Sequence, residues 1–456
     1  MFNIKKLVKS ALVSALGLSF VLPAATNISA AEITNDPVEL EVWLSPQWRG
    51  VYSADEEGAD YDSFLVEAAR LYNEQNPNVQ IKVENVASDQ RDSRLSVGLK
   101  TDSLPNIFFD STFVLTSWAH QGVALPLDDI ISEESREDIQ DTIWENVTIG
   151  DSVYFYPFAQ SQGTLVYNAD MFEEAGLGEY VAGENEIANW SVDEFTEILT
   201  KLDEAAVTTS PLGFFGLNEQ GDTWNMMHLR THGNPFFGED GQLVVNEPSG
   251  VEALEYINQL DQAGLLVDGA ESLSSNDVNA LFQNREVAIS FTNSVLYNNI
   301  LIDMENGVVE PFSARLANYP TTDDATPPVF TYVLGSVVFD VLDETENAVA
   351  KDFVKFYSEH EDLINASINT LPVRDSVTEA HVDELPLLEA YNQNAENIVN
   401  FSNNMPNYSE FRSVFFPEIQ AVLTGAKTPQ EALDSLAQNG NGIIERGNQQ
   451  SLILNQ

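Results

Sequence analysis

The chain has 456 residues, with 20 Lys and Arg against 72 Asp and Glu, 5 His, no Cys and a formal net charge of −52. Without cysteine there is no disulfide, no thiolate metal site, no thiol nucleophile and no Cys-borne lipid anchor. So negative a chain does not carry the basic footprint that nucleic acid or anionic lipid requires.

A hydrophobic content of 43% and an aromatic content of 10% belong to a folded globular chain, long enough for two or three domains. At the start, Lys5, Lys6 and Lys9 precede an apolar run from Ala11 to Leu22, which Pro23 breaks, and Ser29-Ala30-Ala31 offers small residues before Glu32. This pattern predicts a secretory signal over residues 1–31. The run is short for a bilayer span, which takes ~20 residues, and an uncleaved anchor is the competing reading. The acidity is read as adaptation to a saline habitat, where salt screens carboxylate repulsion; a merely acidic exported protein is the plainer alternative.

Along the mature chain, Leu40, Val42 and Leu44 alternate as a strand, and Asp62 to Tyr72 places apolar residues at helical spacing until Asn76-Pro77-Asn78. Val79, Ile81 and Val83 alternate again, Asp89 to Leu99 reads as a helix, and Asn106 to Asp110 is a short apolar run ending in a carboxylate. Thr112 to Gln121 reads as a helix closed by Gly122. The alternation implies parallel strands with right-handed crossovers. Further on, Thr164 to Tyr167, Ala288 to Phe291 and Tyr332 to Phe339 read as strands, and Glu346 to Tyr357 as a helix. Ser191 with Glu194, and Ser249 with Glu252, form capping boxes. Thr428-Pro429 opens a helix with proline at its first position. No repeat or low-complexity segment and no long linker interrupts the chain.

Enzyme signatures are absent: no P-loop, no glycine-rich dinucleotide fingerprint, no Gly-x-Ser-x-Gly and no His-Glu-x-x-His. His228 and His232, four apart, could share a helix face but lack a third ligand. The cluster Asp55-Glu56-Glu57-Gly58-Ala59-Asp60-Tyr61-Asp62 could hold calcium, but its spacing is not that of an EF-hand loop, and a solvated acidic loop is the plainer reading. A carboxylate pair for glycoside hydrolysis carries no signal in a chain with 72 acids. More informative are aromatics and amides at strand ends, since ligands of open parallel sheets bind outside the carboxyl ends of the strands. Ser45-Pro46-Gln47-Trp48 follows the first strand, Asp110-Ser111-Thr112 the third, and Gln160-Ser161-Gln162 lies at a probable crossover of the chain. Flat aromatic faces suit the C–H face of a pyranose, and amides and carboxylates suit its hydroxyls. Trp43, inside a strand, reads as core; Trp48, in a polar loop, reads as a ligand face.

With these segments in place the chain resembles the maltose-binding-protein-like family of extracellular solute-binding proteins, the receptors of sugar-importing ABC transporters, from about Glu39 to about Gln438. The resemblance is carried by Leu104-Pro105-Asn106-Ile107-Phe108-Phe109-Asp110, by Trp118 to Asp128, by Tyr156-Pro157-Phe158, and most specifically by Tyr167-Asn168-x-x-x-Phe172-x-x-Ala175-Gly176-Leu177. Trp190 to Phe195, Leu281 to Ile289 and Thr370 to Arg374 complete it. It implies a two-lobed α/β fold of the type II periplasmic-binding-protein kind, each lobe a mostly parallel sheet flanked by helices, joined by a hinge. The lobes implied are 38–159 plus 331–374, and 160–330 plus 375–456.

The family's ligand contacts past the first and third strands fall here on Gln47, Trp48, Asp110 and Thr112. Leu217 to Trp224 resembles a stretch of the maltose receptor that supplies an acid and an aromatic, which implies Glu219 and Trp224. Asn293 stands near a tryptophan of that receptor, and Phe415 and Phe416 stand at its C-terminal aromatic pair, so the stacking set is altered. Gln160, Gln162, Tyr332 and Arg374, at the crossovers, complete the candidate ligand set. No catalytic residue, metal or cofactor is expected.

The resemblance implies a non-catalytic, monomeric receptor that closes on a neutral mono- or oligosaccharide and delivers it to permease subunits of an ABC importer. The alternatives are a receptor of the same fold for glycerol phosphate, polyamine or a metal complex, and a secreted carbohydrate-active enzyme. The protein is expected in a periplasm or outside the cell, without a lipid anchor, since the modified cysteine usual in Gram-positive members is missing.

Overall fold

The computed structural model of the chain describes residues 34–51, 59–217, 221–322, 325–383 and 385–455. The signal segment, residues 55–58 of the acidic loop and Glu219 lie outside the described residues. The first three strands, Val38–Leu44, Val79–Asn85 and Ile107–Ser111, form where alternating apolar residues were expected. They pair in parallel, with Val38–Leu44 in the middle. The helices Ser63–Gln75 and Arg91–Thr101 make the crossovers.

Two further strands hold the molecule together. Tyr156–Asn168 is buried along its whole length, and Val329–Val338 runs antiparallel to it, from Phe330 opposite Gly163 to Ser336 opposite Tyr156. Val329–Val338 also pairs antiparallel with Ile107–Ser111. At its far end Tyr156–Asn168 pairs antiparallel with Val287–Asn293 and with Ala314–Ala317. Ser210–Leu212 then joins Val287–Asn293 in parallel. Pairing is thus parallel away from the join and antiparallel at it. The alternation at Thr164–Tyr167 marked only the last third of the long strand. The rest, Tyr156-Pro157-Phe158-Ala159-Gln160-Ser161-Gln162-Gly163, is buried on both faces and so has no polar period to read.

Local signals fixed several helix ends. Ser191 and Glu194 form a capping box for Val192–Ala205, as do Thr428 and Glu431 for Pro429–Gln450. The second expected box does not form. Pro248, with its φ already helical, takes the first position of Pro248–Gln262, so Glu247 is the N-cap and the Ser249 hydroxyl instead accepts a bond from Asn234 at 3.2 Å. Nor do His228 and His232 share a helix. Asp222–His228 ends at the first of them, whose ring is buried against Tyr319 and Phe214. Among the described residues no group of His, Asp and Glu could hold a metal, and no helix is long and apolar enough to cross a membrane.

Alternation along the strands feeds two cores on opposite faces of the first sheet. Val38, Leu40, Val42, Leu44 and Phe109 pack with the helix Glu344–Glu359, whereas Trp43, Phe108, Val333 and Val337 pack with Trp118 and Trp144. A third, larger core gathers Leu165 to Ile444, including Phe195, Phe215, Phe291 and Phe415.

Gly163 allows a close approach at the join: a Cβ there would stand 2.0 Å from the Phe330 ring. Gly163→Val is expected to destabilise the protein by ~1–3 kcal/mol or more through overpacking, read as a lower denaturation midpoint in urea. Burial also depresses the pKa of His228 to about 3 and lowers that of His120. A group held below its unfolded value of ~6.5 contributes stability above that pH and loses it as pH falls toward the folded value. Stability should therefore decline between about pH 6.5 and pH 3, and His228→Phe, which fits the aromatic surroundings, should flatten that decline in denaturation curves measured across this range.

Candidate functional site

At the carboxyl ends of the first and third strands stands Asp110, 1% exposed. Its carboxylate accepts from the Ser45 hydroxyl at 2.6 Å, the Gln47 amide at 2.9 Å, the Arg91 guanidinium at 2.9 Å and the Ser111 N–H at 2.6 Å. Four donors fix this group, so it orients Gln47 and Arg91. Burial works to lower the Arg91 pKa, and the charges and hydrogen bonds of Asp110 and Asp92 together more than offset it. Thr112 follows as the first residue of Thr112–Trp118, buried, and the next residue, Phe113, points outward from that helix to the opposite side of the molecule.

There Phe113 meets Tyr332 at 5.3 Å, Phe401 at 5.5 Å and Tyr408 at 6.1 Å between ring centroids. Trp224 adds an edge to Tyr332 at 6.3 Å and to Phe330 at 5.7 Å, with its indole N–H donating to the Thr292 carbonyl at 2.9 Å. Beneath these rings Asp222, fully buried, forms an ion pair with Arg412 at 2.7 Å and accepts from the Tyr408 hydroxyl. Arg412 lies over the faces of both Phe113 and Tyr408. The Thr223 hydroxyl is bonded to that of Tyr332. Burial first, then the Asp222 charge, pushes the Tyr332 and Tyr408 hydroxyls well above the usual range, so both stay neutral.

Register decides which crossover residues join this group. Directly opposite residues of an antiparallel pair share a face. Ser161 is opposite Tyr332, and Gly163 is opposite both Phe330 and Asn293, so these residues share the aromatic face. Gln160 and Gln162 lie on the other face. There Gln160 donates to the Pro372 carbonyl and accepts from the Thr331 hydroxyl, and Gln162 donates to the Tyr391 carbonyl.

The candidates therefore fall into groups. Gln47, Asp110 and Thr112 gather at one rim, and Trp224, Tyr332 and Asn293 at the other. The Asn293 side-chain oxygen also caps the helix Ser294–Glu305. Trp48 packs with Phe64 and Phe158 in the first core, the residue type right for stacking but the ring already stacked. Arg374 bonds Asp138 at 3.0 Å, the Ser135 hydroxyl and the Ser358 carbonyl. Phe415 is fully buried against Phe411 and Phe416. Sequence reasoning passed over Phe113, Arg91, Asp222, Tyr408 and Arg412. The spacing of Tyr408 and Arg412, one turn apart on the helix Tyr408–Leu423, was a readable signal for one shared face.

Arg91 and Arg412 are thus each balanced by a buried carboxylate, and the two groups around them carry aromatic rings and neutral hydroxyl and amide groups. A cavity of about 800 Å³ lies elsewhere, at the amino ends of the first two strands, between Glu39, Glu41, Lys82, Asn106 and Glu346. It carries no aromatic ring, and the carboxyl ends of the strands carry the convergent chemistry.

This fold and site agree with what comparison finds. The structure superposes on a cyclic α-maltosyl-1,6-maltose binding protein from Arthrobacter globiformis with a TM-score of 0.74 at 22% identity, covering 90% of this chain and 100% of that one. It superposes on the sugar-binding protein MalE of Xanthomonas citri with a TM-score of 0.70 at 15% identity, covering 90% and 98%. At such identities the likeness is one of fold. In sequence, a binding protein of Brucella abortus is 24% identical over 53% of this chain and 57% of its own length. The sn-glycerol-3-phosphate-binding periplasmic protein UgpB of Pectobacterium atrosepticum is 24% identical over 64% of this chain and 66% of its own. The chain thus matches little more than half to two thirds of the length of these curated relatives. The model of the bacterial extracellular solute-binding protein family matches residues 54–363. The chain belongs to the bacterial extracellular solute-binding protein family.

Proposed function

We propose that this protein is the extracytoplasmic receptor of an ABC importer and that it captures a neutral mono- or oligosaccharide between two lobes. The lobes of this reading are 38–159 plus 331–374, and 160–330 plus 375–456, with Tyr156–Asn168 and Val329–Val338 as the hinge. Cores on either side of that ribbon support two lobes, while Ala395 and Ile398, from the second lobe's range, pack into a core of the first, and Leu371 packs into that of the second. A ligand that touches both rims favours the closed arrangement, because it has more contacts there than in the open one. Gln47, Asp110, Phe113, Trp224, Tyr332 and Arg412 are the residues we place against it.

The observation that carries the choice of a neutral ligand is the pairing of charge. Arg412 faces Asp222 and Arg91 faces Asp110, so neither of these arginines is an unbalanced cation awaiting a phosphate. The net charge of −52 adds a field that repels anions at low salt, and it supports the reading of a saline habitat. A glycerol phosphate receptor is the second reading, favoured by the similarity to UgpB. Export to a periplasm or to the outside, and work as a monomer beside membrane permease subunits, belong to the same proposal.

A thermal-shift screen of the chain from residue 32 onward, against neutral sugars, sn-glycerol 3-phosphate and spermidine, tests this. Ligand at ~100 times its dissociation constant adds ~2.7 kcal/mol to stability, a visible midpoint rise. A rise with a neutral sugar is expected; a rise with glycerol phosphate alone would establish the second reading. Phe113→Ala should weaken binding of the sugar by ~1–3 kcal/mol through lost stacking and burial, measured by calorimetry. Asp222→Asn should leave Arg412 unbalanced and shift preference toward glycerol phosphate; unchanged preference would remove the pair from the site.

A further inference from the structure

Arg230 lies just past the helix Asp222–His228 and is 6% exposed. The other well-buried arginines have carboxylate partners: Arg374 has Asp138, Arg91 has Asp110 and Arg412 has Asp222. Among the described residues no carboxylate lies within ion-pair distance of Arg230. One of its terminal nitrogens donates to the Pro235 carbonyl, and its guanidinium carbon lies 5.3 Å from the centre of the Phe236 ring. Its Nε is buried without a partner. Burial pushes its pKa down to about 9, so it is still a cation at neutral pH. A buried cation without a counter-charge is costly, by several kcal/mol in real proteins.

Arg230 lines a cavity of about 400 Å³ with His232, Asn234, Thr322, Thr326 and Asn397. None of these belongs to the cleft group. The wall is stiff: Pro327 and Pro328 form one side, and Asn234 is held by bonds to the Val244 carbonyl, the Ser249 hydroxyl and the Phe236 N–H. His232 is held neutral at pH 7 by burial and bonds the Thr231 hydroxyl at 3.0 Å. The lining therefore presents one positive group among neutral hydroxyl, amide and imidazole groups. The planar guanidinium fork matches the two oxygens of a carboxylate or phosphate, and the volume admits a small organic body behind that head group.

We propose that this cavity is a second ligand site, distinct from the cleft, which takes a carboxylate- or phosphate-bearing small molecule through the Arg230 guanidinium. The bound oxyanion completes an ion pair for which the described residues supply no carboxylate. This site does not depend on what the cleft binds.

The test uses the chain from residue 32 onward, with acetate and inorganic phosphate as probes against chloride at equal ionic strength. Either oxyanion should raise the thermal midpoint above that in chloride, and equilibrium dialysis with labelled phosphate should show one bound equivalent. Arg230→Gln should reduce phosphate binding at least tenfold while leaving any sugar-induced shift intact. Thr326→Leu, at the exposed rim, should obstruct binding in a protein whose interior is unaltered, which keeps the test open if Arg230→Gln folds poorly. Equal midpoints in all three anions with no dialysis binding, or phosphate binding unchanged in both variants, would overturn the proposal. So would phosphate binding that appears only in Asp323→Asn with Asp324→Asn, because a carboxylate of the neighbouring segment would then be the natural counter-charge.

Discussion

Everything in this molecule hangs on the antiparallel pairing of Tyr156–Asn168 with Val329–Val338. One ribbon of two strands joins the strands on either side of it into one continuous sheet and forms the floor between them. Its register sets the identity of the floor. With Phe330 opposite Gly163 and Tyr332 opposite Ser161, the aromatic side chains face Trp224, Phe401 and the helix that carries Phe113. A shift of Val329–Val338 by one residue would turn Thr331 and Val333 to the face now held by Phe330 and Tyr332 and put these aromatics behind it. Gly163 is part of the same constraint, since the Phe330 ring occupies the place of its missing side chain.

On that floor the charges are matched before any ligand arrives. Asp110 and Asp222 are both almost fully buried, and each holds an arginine as well as neutral donors. Such pairs fix geometry more than they stabilise, because desolvation cancels much of the Coulomb attraction. In the proposed cleft they leave shape, aromatic area and oriented neutral groups, the features that this reading assigns to a hydroxyl-rich ligand. In a chain of net charge −52, this local neutrality separates the site from its surroundings. Arg230 breaks the rule, which is why its cavity stands out as a site of a different kind.

Much of the fold was legible because local chemistry and pattern agreed. The alternation of Leu40, Val42 and Leu44, the capping box at Ser191, the proline after Thr428 and the ordered motifs around Tyr167-Asn168 each pointed to the element or family that the structure and comparison show. The long strand was legible only at its end, since a strand buried on both faces loses its period. The candidate site was partly legible. Residues just past strand ends, such as Gln47, Asp110 and Thr112, follow from topology alone. Gln160 and Gln162 were chosen by residue type, whereas their facing is set by register, which a single strand's sequence does not contain. Arg374 and Phe415 look like ligand groups by chemistry and position, yet Asp138 and the phenylalanines around Phe411 already occupy them. Asp222, Tyr408 and Arg412 come together from segments nearly two hundred residues apart, and only the packed structure joins them.

The claim that the cleft recognises an uncharged ligand is tested most directly by the salt dependence of affinity. Calorimetric titration of the ligand found by screening, at ionic strengths of about 0.05 M and 0.5 M, separates the cases, because exposed charge–charge attraction is screened over this range and apolar and neutral hydrogen-bonded contacts are not. The account predicts a dissociation constant that changes by less than about twofold. A dissociation constant that rises or falls tenfold or more with salt would show that net charge drives recognition, and would contradict it.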